Sequence, residues 1–418
     1  MKWVQRKIEA ASIQYVLVIS VIIIIVLSAF VSLLYLQKRI AQKSTLFKET
    51  VSHTNQAFDY IAQAAIPYNT VTDLSFSEYP SETTKVERTH WGIFDLISVT
   101  ATLNNEQFQK IGIVGGKSTR RTAMYLQDTN KPLVLVGDTQ IKGNVFLPRL
   151  SVKPGSIGGT SYYGSSLIYG NTAQSSTSLP GVQNIKFLGA FIKDKPFSDY
   201  EEFELEDGIQ RRRSFAQSTQ VHISLDSLYL QNISLKGNII VASEVAITVH
   251  PSALLEHVLL VAPKIVVLPK TKGTFQALAS QEIQVAEQCD LGYPSALIVA
   301  ESRSQNRGKD KEAIKIGENS RLKGVVVYDT EKKPFDYDIQ VSIGEGTVIT
   351  GEVYCKKNLE LKGSVKGSVF TGNFIAREYG SVYVNHIYNG LIDGDAVTDQ
   401  LSGLFMNRTT ISVAKWVH

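Results

Sequence analysis

The sequence predicts a mainly β protein carried on one long N-terminal helix, with a parallel β-solenoid as its head. Three observations predict this. An uncharged run, "IQYVLVISVIIIIVLSAFVSLLYL", extends from Ile13 to Leu36. A helical apolar pattern continues beyond it. From residue 141 onward a Gly-centred phrase returns again and again.

The apolar run comes first in the chain. About 20 apolar residues cross a bilayer core. A cleavable signal has a shorter apolar core, about 7–15 residues, followed by a small-residue cleavage site. "YLQKRIAQKS" offers no such site. Residues 13–36 therefore read as a single uncleaved transmembrane helix behind a short basic N-terminus, 1–12. Lys2, Arg6 and Lys7 precede the span, with Glu9, and Lys38, Arg39, Lys43 and Lys48 follow it. The rule that basic flanks stay cytoplasmic therefore does not fix orientation, and leans slightly toward a cytoplasmic head.

Ile40, Ser44, Phe47, Val51, Thr54, Phe58, Ile61 and Ala65 keep a 4-3 alternation after the span. That is one face of a helix. Residues 37–66 read as an amphipathic stalk ended by Pro67. Together with the span it makes a rod of about 80 Å at 1.5 Å per residue. Phe47, Val51, Phe58 and Ile61 form the candidate assembly face, turned toward a partner helix or toward the chain's own domain.

A basic leader, an apolar helix and an amphipathic continuation ahead of a β-rich head resemble the type IV pilin and pseudopilin superfamily. The resemblance is architectural and is confined to the N-terminal helix. Members usually carry Gly at a peptidase site and Glu five residues into the apolar run. Here "RKIEAASIQYV" has no Gly, and Glu9 stands before the run. The resemblance implies helix-driven assembly in an envelope filament or secretion machine.

Residues 67–130 read as a small linking region. In "HWGIFDLISVTATLNNEQFQKIGIVGG" two strands with alternating sides flank a turn at "NNEQ". "GIVGGKS", Gly112 to Ser118, lacks the Gly at 111 that a phosphate-binding loop of the Walker type needs, since that residue is Ile111. It reads as a Gly turn, and the following "TRRTAMYLQD" as a short helix.

Residues 131–389 carry the repeats. "IKGNVF" starts at Ile141, "LKGNII" at Leu235, "LKGVVV" at Leu322, "ITGEVY" at Ile349 and "VKGSVF" at Val365. Ile316, Leu322 and Gly324 recur at the same spacing as Ile343, Ile349 and Gly351. Val241, Val261, Ala279 and Val299 mark a second register, with steps of 20, 18 and 20 residues. Short strands at periods near 20 with Gly at corners are the mark of a β-solenoid, each coil burying the same inward positions. A β-sandwich is the alternative fold. "VSIGEGTVITGEVYCKKNLELKGSVKGSVFTGNFI", Val341 to Ile375, also resembles the bactofilins, polymer-forming β-helix proteins; this implies a scaffold on the cytoplasmic membrane face as the alternative function. The tail, 390–418, holds Leu401, Leu404, Phe405, Ile411, Val413 and Trp416 and is expected to cap the last coil. The hairpin around Trp91 to Val114 is expected to cap the first.

No residue pattern asks for catalysis, a cofactor or a metal. The net charge is only +4 over 418 residues and makes no basic face, which excludes a nucleic-acid surface. Seven histidines are scattered without metal-ligand spacing. Asp290, Asp329, Asp336 and Asp338 fall at different points of the repeat, unlike the stacked acids of glycan-cleaving β-helices. Cys289 and Cys355 are too few for a disulfide framework, and their pairing is open. Tyr162, Tyr163 and Tyr169 sit in a Gly- and Ser-rich loop, and "RRR", Arg211 to Arg213, reads as a solvated loop. The expectation is a non-catalytic structural protein of a bacterial inner membrane with its head outside the cytoplasm. Its partners are the lipid bilayer and other helices, with neither nucleic acid nor nucleotide. A glycan-binding or glycan-cleaving β-helix is a third reading.

Overall fold

A computed structural model describes residues 10–64, 66–76, 82–118, 121–301, 312–330, 337–397, 401–407 and 409–417. Lys2, Arg6, Lys7, Glu9, Ala65 and Asp336 lie outside them. The protein is mainly β with one long N-terminal helix. It divides into two compact units: residues 1–59, 73–86 and 99–109, and residues 60–72, 87–98 and 110–418.

The first unit is built on α1, Ala10–Ile61, 52 residues without a break. Its apolar half is exposed throughout, Ile24 for example by 61%. Its window of highest apolarity has a mean hydropathy of 3.2, long and apolar enough to cross a membrane. Further along, a stripe at Thr50, Thr54 and Ala57 is fully buried. The two threonines bury their hydroxyls by donating to carbonyls four residues back, Thr50 to Leu46 at 2.8 Å and Thr54 to Thr50 at 2.9 Å. Phe47 meets Phe108 edge-on at 5.8 Å, Lys43 pairs with Glu106 at 3.1 Å, and His53 lies 3.0 Å from Glu82. The stalk face is therefore engaged in part by the chain's own strands.

Five strands, Thr72–Leu74, Glu82–Trp91, Phe94–Leu103, Glu106–Ser118 and Thr409–Val417, are hydrogen-bonded in that order. Two-residue turns at Gly92-Ile93 and Asn104-Asn105 join the middle three, with Gly92 and Asn104 at positive φ as such turns require. The turn expected at "NNEQ" is the second of these. "GIVGGKS" is not a turn but the end of strand Glu106–Ser118, and "TRRTAMYLQD" supplies a strand, Thr122–Leu126, not a helix. The reason lies in what passes beside the glycines. Gly116 exchanges both backbone hydrogen bonds with Gly403, at 2.8 and 2.9 Å, and a Cβ at Gly116 would collide with the Leu404 carbonyl. Two glycines let a second backbone approach, which sequence alone does not distinguish from a turn.

The second unit is dominated by parallel strands that close into a barrel. Three ladders describe it. One runs Leu235, Leu255, Gly273, Leu291, Leu322, Ile349, Val365, Ile392, Ile141. A second runs Val241, Leu260, Ala277, Leu297, Val326, Val353, Val369, Met124, Val145. A third runs Val249, Val267, Val285, Ile316, Ile343, Leu361. All but Gly273 belong to one buried core. The repeat glycines stand at its corners: Gly324, Gly351 and Gly367 stack, all at φ between 136° and 147°. A Cβ at Gly351 would run into the Gly324 carbonyl oxygen, and one at Gly367 into that of Gly351.

Two expectations are corrected. Val241, Ala279 and Val299 face the inner core, but Val261 does not. It stands on an outward line with Ala242, Leu278, Ile298, Val327, Tyr354 and Phe370. That line is itself buried in a second core with Leu188, Phe191 and Ile192 of α2, Ile185–Asp194. A one-residue slip turns a strand side chain to the opposite face, and burial on both faces hides the slip in the sequence. The expected caps also differ. Beyond strand Ser364–Glu378 the ladders run on into Thr122–Leu126 and Leu391–Asp393, so part of the tail 390–418 continues them. The rest, Thr409–Val417, pairs antiparallel with Glu106–Ser118. The hairpin turn at Trp91 to Ile93 meets the middle of the barrel, where Gln276 accepts from Ile93 N at 3.0 Å and donates to Trp91 O at 2.7 Å.

Candidate functional site

Three polar arrangements stand out in the second unit. The most buried centres on Asp95, which is fully enclosed. Arg88 Nε donates to it at 2.8 Å, Tyr68 OH at 2.9 Å and Asn184 Nδ2 at 3.1 Å, and His90 Nδ1 lies at 3.1 Å. His90 is stacked between Tyr68 and Phe187, with centroids at 4.0 and 3.8 Å. Burial and the Asp95 charge hold the Tyr68 hydroxyl well above its ordinary range. The donors converge on one carboxylate, and Tyr68 OH also lies 3.2 Å from Asn184 Oδ1. This is a clamp joining Tyr68, two strands and the start of α2.

The second arrangement is a strap, residues 401–407. Ser402 N donates to Tyr293 OH at 2.9 Å, Leu404 N to Glu352 Oε2 at 2.7 Å, and Gln183 N to Phe405 O at 2.8 Å. Leu404 and Phe405 are buried. Glu352 is pushed up to about 7, chiefly by burial; the Leu404 N–H and the Arg121 charge oppose this.

The third is a groove of about 310 Å³ lined by Arg212, Arg213, Phe215, Lys236, Gly237, Glu256, His257, Lys415, Trp416 and Val417. The basic run here is a strand, Gln210–Arg213, parallel to Ser234–Gly237, not a solvated loop. Pairing divides its arginines: Arg211 lies over Phe203 at 4.6 Å, Arg213 binds Glu201 at 2.6 Å, and Arg212 is left to the groove. Lys236 holds Glu256 at 3.2 Å, and this keeps the Glu256 carboxyl below its usual range. His257 sits at a bulge between Glu256 and Val258 with φ of 61°. Burial lowers its basicity. Lys110 Nζ lies 3.7 Å from the Trp416 ring centroid.

The candidate assembly residues are not brought together as a free face. Ile61 is buried, Val51 and Phe58 are half-buried, and Phe47 stays 44% exposed against Phe108. Tyr163 and Tyr169 are exposed, and Tyr162 packs partly on the inner core. Asp329 pairs with Lys356 at 2.6 Å, on a different ladder position from Asp290. Cys289 and Cys355 are free and buried, their thiols raised by burial. Among the described residues no cluster of His, Cys, Asp or Glu is placed to hold a metal. Sequence reasoning missed the groove because its lining comes from separate stretches of the chain; the one local signal was the arginine run. No family model, curated protein or solved structure matches this chain.

Proposed function

We propose that this protein is a non-catalytic, membrane-anchored structural component of a cell-envelope filament or secretion machine, with a pilin-like helix and an extracytoplasmic β-solenoid head. One observation carries the reading. A single unbroken helix, Ala10–Ile61, is apolar and uncovered in its first half and carries a buried stripe, Thr50, Thr54 and Ala57, in its second. A helix apolar on every side needs lipid or other helices around it. The half that packs on its own strands needs neither, so association runs through the first half. The three parallel ladders with stacked corner glycines support the solenoid.

The four basic residues after the span, Lys38, Arg39, Lys43 and Lys48, favour the second reading, a bactofilin-like scaffold with a cytoplasmic head. Topology separates the two. Glu206 is exposed on a loop and both native cysteines are buried, so a Glu206→Cys variant offers one reactive thiol. In intact spheroplasts a membrane-impermeant maleimide is expected to label it without lysis. Labelling only after lysis would replace the filament reading with the scaffold.

A further inference from the structure

The groove beside Trp416 carries an inference that neither reading of the anchor requires. We propose that it binds an acidic sugar unit. Four cations line it against one carboxylate. Arg213 is matched by Glu201 and Lys236 by Glu256. Arg212 and Lys415 remain exposed with no acid within ion-pair distance among the described residues. Lys415 still acts on the Glu256 charge, but four cations against Glu201 and Glu256 leave a surplus of positive charge that calls for an anion. A guanidinium and an ammonium side by side suit a carboxylate or phosphate, the first through paired N–H donors.

The rest of the lining says what the anion is attached to. Trp416 is 39% exposed, with Lys110 Nζ over its ring. The exposed part of its indole lines the groove beside the cations and offers apolar surface to the C–H groups of a pyranose. The bulge at His257 puts a non-glycine residue in the left-handed region and turns its ring into the lining. Bulges of this kind re-aim side chains at functional places. A neutral imidazole offers one donor and one acceptor, which fits hydroxyl groups better than a second anion. A volume of about 310 Å³ is at the small end of ligand pockets, enough for one charged sugar residue and its neighbour's linkage. Nucleic acid is a poor fit: tracking a phosphate backbone needs more unmatched cations than two.

The test uses the full chain in detergent micelles at low ionic strength. Calorimetric titration with trigalacturonate and with glucose 6-phosphate is compared with neutral maltotriose. At least one acidic sugar is expected to bind, maltotriose is not, and the pair tells carboxylate from phosphate. Arg212→Gln combined with Lys415→Gln is expected to weaken binding roughly tenfold or more. Trp416→Leu should weaken it less, about threefold, and melting temperatures guard against unfolding; should Trp416→Leu unfold, the combined surface-charge variant still decides. Absence of binding by both acidic sugars overturns the proposal. So does triglutamate or inorganic phosphate binding as tightly as the sugar acid, or unchanged affinity in the charge variant.

Discussion

Two pairs of the repeated phrase behave differently. "LKGVVV" and "ITGEVY" follow one another in the chain and stack as their alignment implies, Leu322 on Ile349 and Gly324 on Gly351. "IKGNVF" and "LKGNII" are also consecutive copies, yet Ile141 and Leu235 stand nearly at opposite ends of one ladder. Ile141 lies next to Ile392, which lies next to Val365, so the first copy in the chain is one strand away from the last. A repeat encodes which positions face inward, because every strand meets the same core. It does not encode which strand lies next to which. Stacking order depends on where long connections lead, and here residues 175–200 and the tail carry the chain between distant places in the ladder.

The sharpest way to break this comparison is a cross-link. Lys142 and Asp393 are paired across neighbouring parallel strands. Such strands lie about 4.8 Å apart, inside the range of Cα separations that a disulfide bridges. Lys142→Cys with Asp393→Cys is expected to cross-link nearly completely on mild oxidation. Lys142→Cys with Lys236→Cys should not, because seven strands of the ladder intervene, about 38 Å at that spacing. Non-reducing gel mobility distinguishes the two, and a bond between 142 and 236 would restore stacking in chain order.

A second comparison sets glycine against glycine. At Gly351 a Cβ meets the carbonyl oxygen of Gly324, at a φ of 147°. At Gly143 it meets the Ala123 methyl at 3.0 Å, at a φ of 110°. A backbone oxygen fixed by its own strand yields less than a side chain. Gly351→Ala should therefore cost about 2–4 kcal/mol and Gly143→Ala about 1–2 kcal/mol. Gly181→Ala, with nothing near its Cβ and no strained φ, should stay within about 0.5 kcal/mol. Urea unfolding of the full chain in micelles ranks the three. Equal losses at Gly351 and Gly143 would mean that the φ penalty, not the stacked carbonyl, selects the repeat glycine.

These glycines show how far the sequence could be read. Gly324, Gly351 and Gly367 announced themselves because the same constraint acts on every repeat. Gly115 and Gly116 did not, because their partner at Gly403 lies in a segment remote in sequence and without periodicity. Val261 was misread for a related reason: with apolar residues on both faces of its strand, alternation carries no sign of inside and outside. The groove was barely legible, with the arginine run as its one local signal. Arg212, His257 and Lys415 share no spacing, and only the folded strands bring them to one cavity.

The smallest effect lies where the stacked copies differ. The fourth position of the phrase is Val325, Glu352 and Ser368 in successive copies, and these residues stack on one another. This position lies on the outer side of the ladder, where Val325 joins the second core, and Glu352 uses it to hold the strap through Leu404 N. Its carboxyl is raised from an ordinary 4.5 to about 7, mainly by burial, with Tyr293, Arg121 and the Leu404 N–H as its polar surroundings. The folded state thus prefers the neutral acid. Its contribution to stability is complete below about pH 4.5 and is lost as pH rises through about 7. Hydrogen exchange at the Gly403 and Leu404 amides, corrected for intrinsic rate, should show protection falling between about pH 5 and 8. Glu352→Gln, neutral at every pH and still able to accept from Leu404 N, should flatten that profile while leaving global melting nearly unchanged. Protection that rises with pH would instead mean that the ionised carboxylate is the better acceptor, and that the strap's hydrogen bond outweighs the cost of burying the charge.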